Sequence, residues 1–135
     1  DEALLHANRN RLRDDELVVV MARVQNDRFS GGLRLSVQQV WDLAGARCRF
    51  GRYLQVAVNG RVPDVAAVLR EFPPQREVSE QGELVRGLPI RMTLLREQAQ
   101  AELQLGDEAR FYPTDAALAC WIAQADGGQA QVVYE

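Results

Sequence analysis

The stretch that decides the fold is "ELVVVMARVQNDRFSGGLRLSVQQVWD", Glu16 to Asp42. Its first part is strongly apolar and predicts a strand from Leu17 to Val24. Its last part alternates, with Leu33, Leu35 and Val37 toward one face and Arg34, Ser36 and Gln38 toward the other. That is the period of a half-buried strand, expected from Leu33 to about Trp41. Between them lies a polar loop, Gln25 to Gly32, with one aromatic, Phe29, and the flexible run Ser30-Gly31-Gly32. The two strands read as a hairpin. An isolated hairpin is marginally stable at best, so another element must cover its apolar face.

Little stands in front of the hairpin. Asp1 to Arg13 reads as a helix, with Asp1 and Glu2 at its start and Arg9, Arg11 and Arg13 near its end. These charges complement the helix dipole. Leu4, Leu5 and Leu12 give it an incomplete apolar stripe, and Asp14-Asp15 breaks it. Behind the hairpin, Ala44-Gly45-Ala46 reads as a short linker. No acidic residue falls between Leu43 and Pro63, whereas Arg47, Arg49, Arg52 and Arg61 do. This locally basic stretch is most simply a solvated face.

The rest of the chain has its own order of elements. A strand from Tyr53 to Val58 comes first. "NGRVPD" turns the chain, with Pro63 suited to the first turn of a helix. Val65, Val68, Leu69 and Phe72 then recur at helical spacing, and Pro73-Pro74 ends the helix. "QREVSEQGELVRG" is polar and offers one short strand at most. "LPIRMTLL" points Ile90, Met92 and Leu94 inward. "AQAELQL" alternates Ala99, Ala101, Leu103 and Leu105, and Glu97-Gln98 makes a tight hairpin between the two. "ARFYP" is a short strand. Thr114 is a good helix N-cap with Asp115 in the first turn. Leu118, Trp121, Ile122 and Ala125 are expected to face the core, and Asp126-Gly127-Gly128 to stop the helix. "AQVVYE" is the final strand. This order predicts a sheet covered by two helices.

Composition limits the function classes. The 135 residues allow one domain or two very small ones, and 47% hydrophobic content can support a core. A net charge of −3 argues against a generally basic nucleic-acid binder, although a local patch can still hold phosphate. All 16 side chains counted as lysine or arginine are arginine, as a GC-rich genome would produce. No apolar run approaches the ~20 residues of a membrane span. Cys48 and Cys120 lack metal-ligand spacing and read as reduced core thiols, which fits a cytoplasmic protein. His6 has no second ligand at metal spacing. No nucleophile elbow and no phosphate-binding glycine loop are present. The carboxylate runs Asp14-Asp15-Glu16 and Asp107-Glu108 each flank a turn, and solvation explains them better than magnesium. By pattern, Trp41 and Trp121 are core residues. Spacing and composition alone give a small binding or interaction module with no catalytic residue, metal or cofactor.

A family resemblance goes further. Helix, strand, loop, strand is also the second half of an OB-fold, whose strands and loops carry a ligand-binding face. The segment from Glu16 to Arg47 resembles the end of the OB-fold near the C-terminus of bacterial DNA polymerase III alpha subunits. That family shows an apolar strand, a "D-x-F-S-G-G-L-(K/R)" loop, and a strand ending in an apolar-Asp pair before an Ala/Arg-rich linker. Here Asp27, Phe29, Ser30, Gly31, Gly32, Leu33 and Arg34 fill the loop, and Trp41-Asp42 ends the strand. Pro89-Ile90, Phe111 to Asp115 and Val132 to Glu135 match later pieces of the family pattern.

The resemblance implies an α+β chain in two parts. Residues 1–46 are the C-terminal part of an OB-fold, a helix plus β-hairpin. Residues 47–135 are a tau-binding-like domain, a small mixed sheet covered by two helices. It implies a fragment, without the polymerase active site, that attaches the rest of the alpha chain to the clamp-loader tau subunit in DNA replication. The partner contact is expected at Trp121, Val132, Val133, Tyr134 and Glu135. A single-stranded DNA contact is expected at Arg23, Arg28, Phe29 and Arg34, where charge and stacking meet. A module that binds single-stranded nucleic acid independently, through the same four residues, is the alternative. The uncovered hairpin face is expected to fold back or to pair with a second copy.

Overall fold

The computed structural model describes residues 17–125 and 128–135. The expected helix from Asp1 to Arg13, His6 and the run Asp14-Asp15-Glu16 lie outside these residues. So do Asp126 and Gly127 of the expected helix stop. The fold is α+β, and the chain divides into two compact units, Asp1–Ala46 and Arg47–Glu135.

The described part of the first unit holds an antiparallel hairpin of β1 (Val18–Asn26) and β2 (Leu33–Asp42). Its pairs include Val24 with Leu35 and Arg23 with Ser36. Side chains alternate in β1, so Val18, Val20, Ala22 and Val24 share one face. In β2 the expected alternation holds from Leu33 to Val37 and then slips. Ala22 pairs with Val37, but Met21 pairs with Gln39, which leaves Gln38 as the extra residue of a β-bulge. The slip keeps the apolar face continuous, because Val40 rather than Gln39 now joins Val37. Val40 is buried, but toward the loop this face is unsealed: Val24, Leu33 and Leu35 are 58%, 75% and 69% exposed.

The expected linker is instead a helix. α1 (Leu43–Phe50) starts where the Asp42 carboxylate accepts the Gly45 N–H at 2.7 Å, an N-cap at the end of β2.

In the second unit, a mixed sheet runs in the order β7-β6-β3-β9. β3 (Tyr53–Val58) pairs parallel with β6 (Leu88–Leu95) and antiparallel with β9 (Gln129–Val133). β7 (Gln100–Gln104) pairs antiparallel with β6 through a turn at Glu97-Gln98, where Arg96 and Ala99 exchange backbone bonds of 2.9 and 3.4 Å. β8 (Arg110–Phe111) adds two residues beside Leu88 and Pro89. The core lies on one face. Leu54, Val56 and Val58 of β3 and Leu88, Ile90 and Met92 of β6 are buried there. Val68 of α2 (Val65–Glu71) and Ala117 and Trp121 of α3 (Asp115–Gln124) close the same cluster. Both helices therefore cover one side of the sheet; on the other side the side chains of the middle strands, Tyr53, Gln55, Pro89, Arg91 and Thr93, are half-buried.

Local chemistry sets the element ends. Asp64 caps α2 by accepting the Ala67 N–H at 3.1 Å, so Pro63 precedes the cap instead of sitting in the first turn. Thr114 caps α3 by accepting the Ala117 N–H at 3.1 Å. Arg47 ties α1 to this end of α3. Its guanidinium donates to the Pro113 carbonyl at 3.0 Å and lies 2.8 Å from the Asp115 carboxylate. Three further expectations need correcting. Ile122 is 54% exposed, because the buried positions of α3 recur every fourth residue at Ala117, Trp121 and Ala125. β7 is exposed throughout, and only Leu105 beyond it reaches the core. The polar segment after Pro74 forms two strands, β4 (Gln75–Ser79) and β5 (Gly82–Arg86). Diagonal ion pairs, Arg76–Glu83 at 3.1 Å and Glu77–Arg86 at 3.4 Å, sit on its opposite faces.

Candidate nucleic-acid and partner interfaces

The loop between β1 and β2 is built by its own side chains. The Asp27 carboxylate accepts the Phe29 N–H at 3.0 Å and the Ser30 hydroxyl at 2.9 Å. The Ser30 hydroxyl in turn accepts the Gly32 N–H at 3.3 Å. The Asp27 N–H donates to the Gly32 carbonyl at 2.8 Å and closes the turn. Gly31 has φ +73°, the left-handed region that a side chain disfavours. These bonds, led by the Phe29 amide and the Ser30 hydroxyl, hold the Asp27 carboxyl below its ordinary pKa. Asp27, Ser30 and Gly31 thus shape the loop, and Phe29, fully exposed, is what the loop presents.

The register places the other candidates around that tip. Arg23 and Arg34 lie on the polar face of the hairpin, diagonally across from one another, opposite the face of Val24 and Leu35. Arg28 is in the tip itself. No carboxylate among the described residues lies within ion-pair distance of Arg23, Arg28 or Arg34. The structure so gathers all four expected nucleic-acid residues at one end of the hairpin. The builders of the loop were missed as such. Their signal was the spacing Asp-x-x-Ser, which suits a carboxylate bonding its own turn.

The expected partner residues do not form one surface. Trp121 is fully buried, with its ring 5.7 Å from that of Phe111 and edge-on to it. A side chain with no accessible area cannot touch a partner, so Trp121 is the core residue that its helical spacing predicts and not the partner contact that the resemblance implies. Val132 packs on the same core opposite Leu54. Val133 is on the other face, half-buried and paired with Tyr53. Tyr134, 50% exposed, and Glu135 lie beyond β9. Of the five, Val133, Tyr134 and Glu135 remain reachable.

Reactive chemistry is sparse among the described residues. Cys48 and Cys120 form no disulfide among the described residues, and both are half-buried. Burial pushes the Cys120 thiol up, and the negative charge of Glu71 adds to the shift, so the nucleophilic thiolate is disfavoured. Asp107 and Glu108 stand exposed in the turn before β8. No three histidine, cysteine or carboxylate side chains among the described residues are grouped to hold a metal. No helix there is long and apolar enough to cross a membrane.

No family model matches the sequence. Relatives do. The chain is 33% identical over 107 residues to the DNA polymerase III subunit alpha of Vibrio cholerae, covering 79% of this chain and 9% of that protein. It is 34% identical over 105 residues to the same subunit of Pseudomonas aeruginosa, covering 77% of the chain and 8% of the relative. The Escherichia coli K12 subunit is 29% identical over 104 residues, with 77% and 8% covered. The chain thus spans under a tenth of the length of the relatives it matches. Matches that run through most of this sequence and fall on one protein in several bacteria make the chain a member of the DNA polymerase III alpha subunit family, as the counterpart of one short segment of it.

Proposed function

We propose that the chain is a noncatalytic, C-terminal module of a replicative polymerase alpha subunit and tethers the polymerase to the clamp-loader tau subunit. The observation that supports this reading is the similarity to alpha subunits along 77–79% of the chain, which takes in both compact units. Within it, Val133, Tyr134 and Glu135 carry the contact. A half-exposed tyrosine beyond a sheet strand is a fitting anchor, since tyrosine is enriched among the residues that dominate interfaces. Trp121 and Val132 act behind them by fixing α3 and β9.

Calorimetric titration of tau into the full chain and into Tyr134→Ala tests this. The substitution is expected to weaken binding by about thirtyfold, a loss of ~2 kcal/mol, while the melting temperature stays put. Unchanged affinity in Tyr134→Ala, or no heat with the full chain, removes the assignment. Truncation before Val132 is the poorer test, because it also strips the core. Primer extension above background by the purified chain would contradict the noncatalytic reading.

A second reading has one observation in its favour, the fully exposed Phe29 on a preformed loop beside three arginines. It makes the hairpin a single-stranded DNA contact. Its affinity should fall steeply with salt, which a tethering contact through Tyr134 should not.

A further inference from the structure

The face of the second unit's sheet that the helices leave open has an unusual composition. The register sets Gln131, Gln55, Arg91 and Gln104 in one row across all four strands. The row on one side has Val133, Tyr53 and Pro89, and the row on the other has Thr93 and Glu102. The Arg91 guanidinium lies 4.2 Å from the centre of the Tyr53 ring, a cation–π stack between neighbouring strands. Gln55 donates to the Thr93 hydroxyl at 2.8 Å. Arg52, Tyr53, Pro89, Arg91 and Gln104 line one shallow depression, with no carboxylate among its described lining residues. No carboxylate among the described residues is within ion-pair distance of Arg52 or Arg91. Glu102 stands at the rim, beside Arg91 and Gln104.

We propose that this open face is a second binding surface, for single-stranded nucleic acid. Two arginines without a carboxylate partner complement phosphate. A guanidinium stacked on a phenol ring makes a flat platform that a base can extend by stacking, whatever its identity. Amide side chains on both sides of the platform offer donors and acceptors together, as base edges require. Four-stranded sheets with one bare face bind single strands in this way, with aromatic side chains on the sheet stacking the bases. Tyr53 and Arg91 occupy the two middle strands, β3 and β6. An acidic peptide would be met by the same charges but would leave the stacked pair and the amide row without a task. The site is separate from the β1–β2 loop and does not depend on tau tethering.

Fluorescence anisotropy with a labelled oligothymidine of roughly 15 nucleotides tests the proposal on the full chain. Arg91→Ala and Tyr53→Ala are each expected to weaken binding about tenfold. Arg52→Ala should lower the salt slope by roughly 0.7, the share of one phosphate on a single strand. Arg91→Lys keeps the charge but not the planar stack and should fall between Arg91→Ala and the parent. Arg52 is exposed, so its variant keeps the test alive if a Tyr53 variant melts early. The proposal is overturned if the full chain does not bind. It is equally overturned if Arg91→Ala and Arg52→Ala bind as the parent does, or if only Phe29→Ala loses affinity. Loss of tau capture in Arg91→Ala with DNA binding unchanged would make the face a protein-docking surface instead.

Discussion

In β3, Leu54, Val56 and Val58 have no exposed area, while Val20 and Val24, on the apolar face of β1, are half exposed. Both strands are apolar on one face. The difference lies in what arrives to cover that face. β3 is sealed by Val68 of α2 and by Trp121 of α3, elements placed well after it in the chain. Among the described residues of the first unit, only the hairpin and the start of α1 are present to do the same for β1. Periodicity therefore reports which face of a strand is apolar. It does not report whether a layer exists to bury it.

Breaking the sealed side should give the largest effect. Trp121→Ala removes the biggest fully buried side chain and should cost about 3–5 kcal/mol, enough to unfold a marginal domain. Chemical denaturation followed by circular dichroism would measure it, and a loss below about 1 kcal/mol would mean that the core is not as closed as described. Arg47→Ala comes next. It leaves the Pro113 carbonyl without its donor and should cost about 1.5 kcal/mol, as charged hydrogen bonds do. Asp115→Asn, at the exposed end of the same ion pair, should cost under about 0.5 kcal/mol. Equal losses from the two would show that the ion pair, and not the carbonyl bond, holds α1.

On the unsealed side the same kind of change should do little. Leu35→Ser alters a side chain that is already mostly in water, so stability should stay within about 0.5 kcal/mol of the parent. Light scattering is the sharper readout there. A drop in self-association on Leu35→Ser would show that the face pairs with another copy, and a large fall in stability would show that it is covered within the chain.

The smallest effect is local and depends on pH. The Asp27 carboxyl is held below its ordinary value by the bonds it accepts in the loop. A group with a lowered folded pKa stabilises its surroundings above the ordinary carboxylate range and ceases to do so as pH falls through the lowered value. The Phe29 amide resonance, followed by NMR during acidification, should therefore shift with a midpoint below the ~3.9 of a free aspartate, while core resonances stay fixed. A midpoint at or above that value would mean that the loop is not preformed.

Much of the second unit was legible from the sequence, because burial writes a period into it. "LPIRMTLL" alternates and is β6 from end to end; Thr114 before a helical pattern is its cap. What was missed follows from physics that leaves weaker traces. α1 has no apolar stripe, and its only signal was Asp42 three residues before Gly45. β4 and β5 are solvated on both faces, so no apolar alternation marks them, and Gly82, at φ +118°, was the one sign of their turn. The doubled glutamine Gln38-Gln39 marked the bulge that returns Val40 to the apolar face. At the candidate sites, the tip of the hairpin could be read from residue types, and helical spacing placed Trp121 in the core, where it is. Only the family resemblance set Trp121 against a partner, because matching a terminal segment does not tell which of its side chains are buried.

The position of β9 has a consequence in time. Its Val133 sits beside Tyr53, and its Ala130 beside Val56, across a long loop of intervening chain. Closing loops of that size is slow, and sheets built from distant strands fold late. During synthesis, β3 emerges from the ribosome many residues before its neighbour, so one of its edges waits without hydrogen-bond partners while α2, β6 and α3 are made. A bare edge of that kind is open to pairing with the wrong strand. A ribosome stalled just short of Gln129 should therefore hold a chain that is protease-sensitive in β3, and release past Val133 should convert it to the resistant fold.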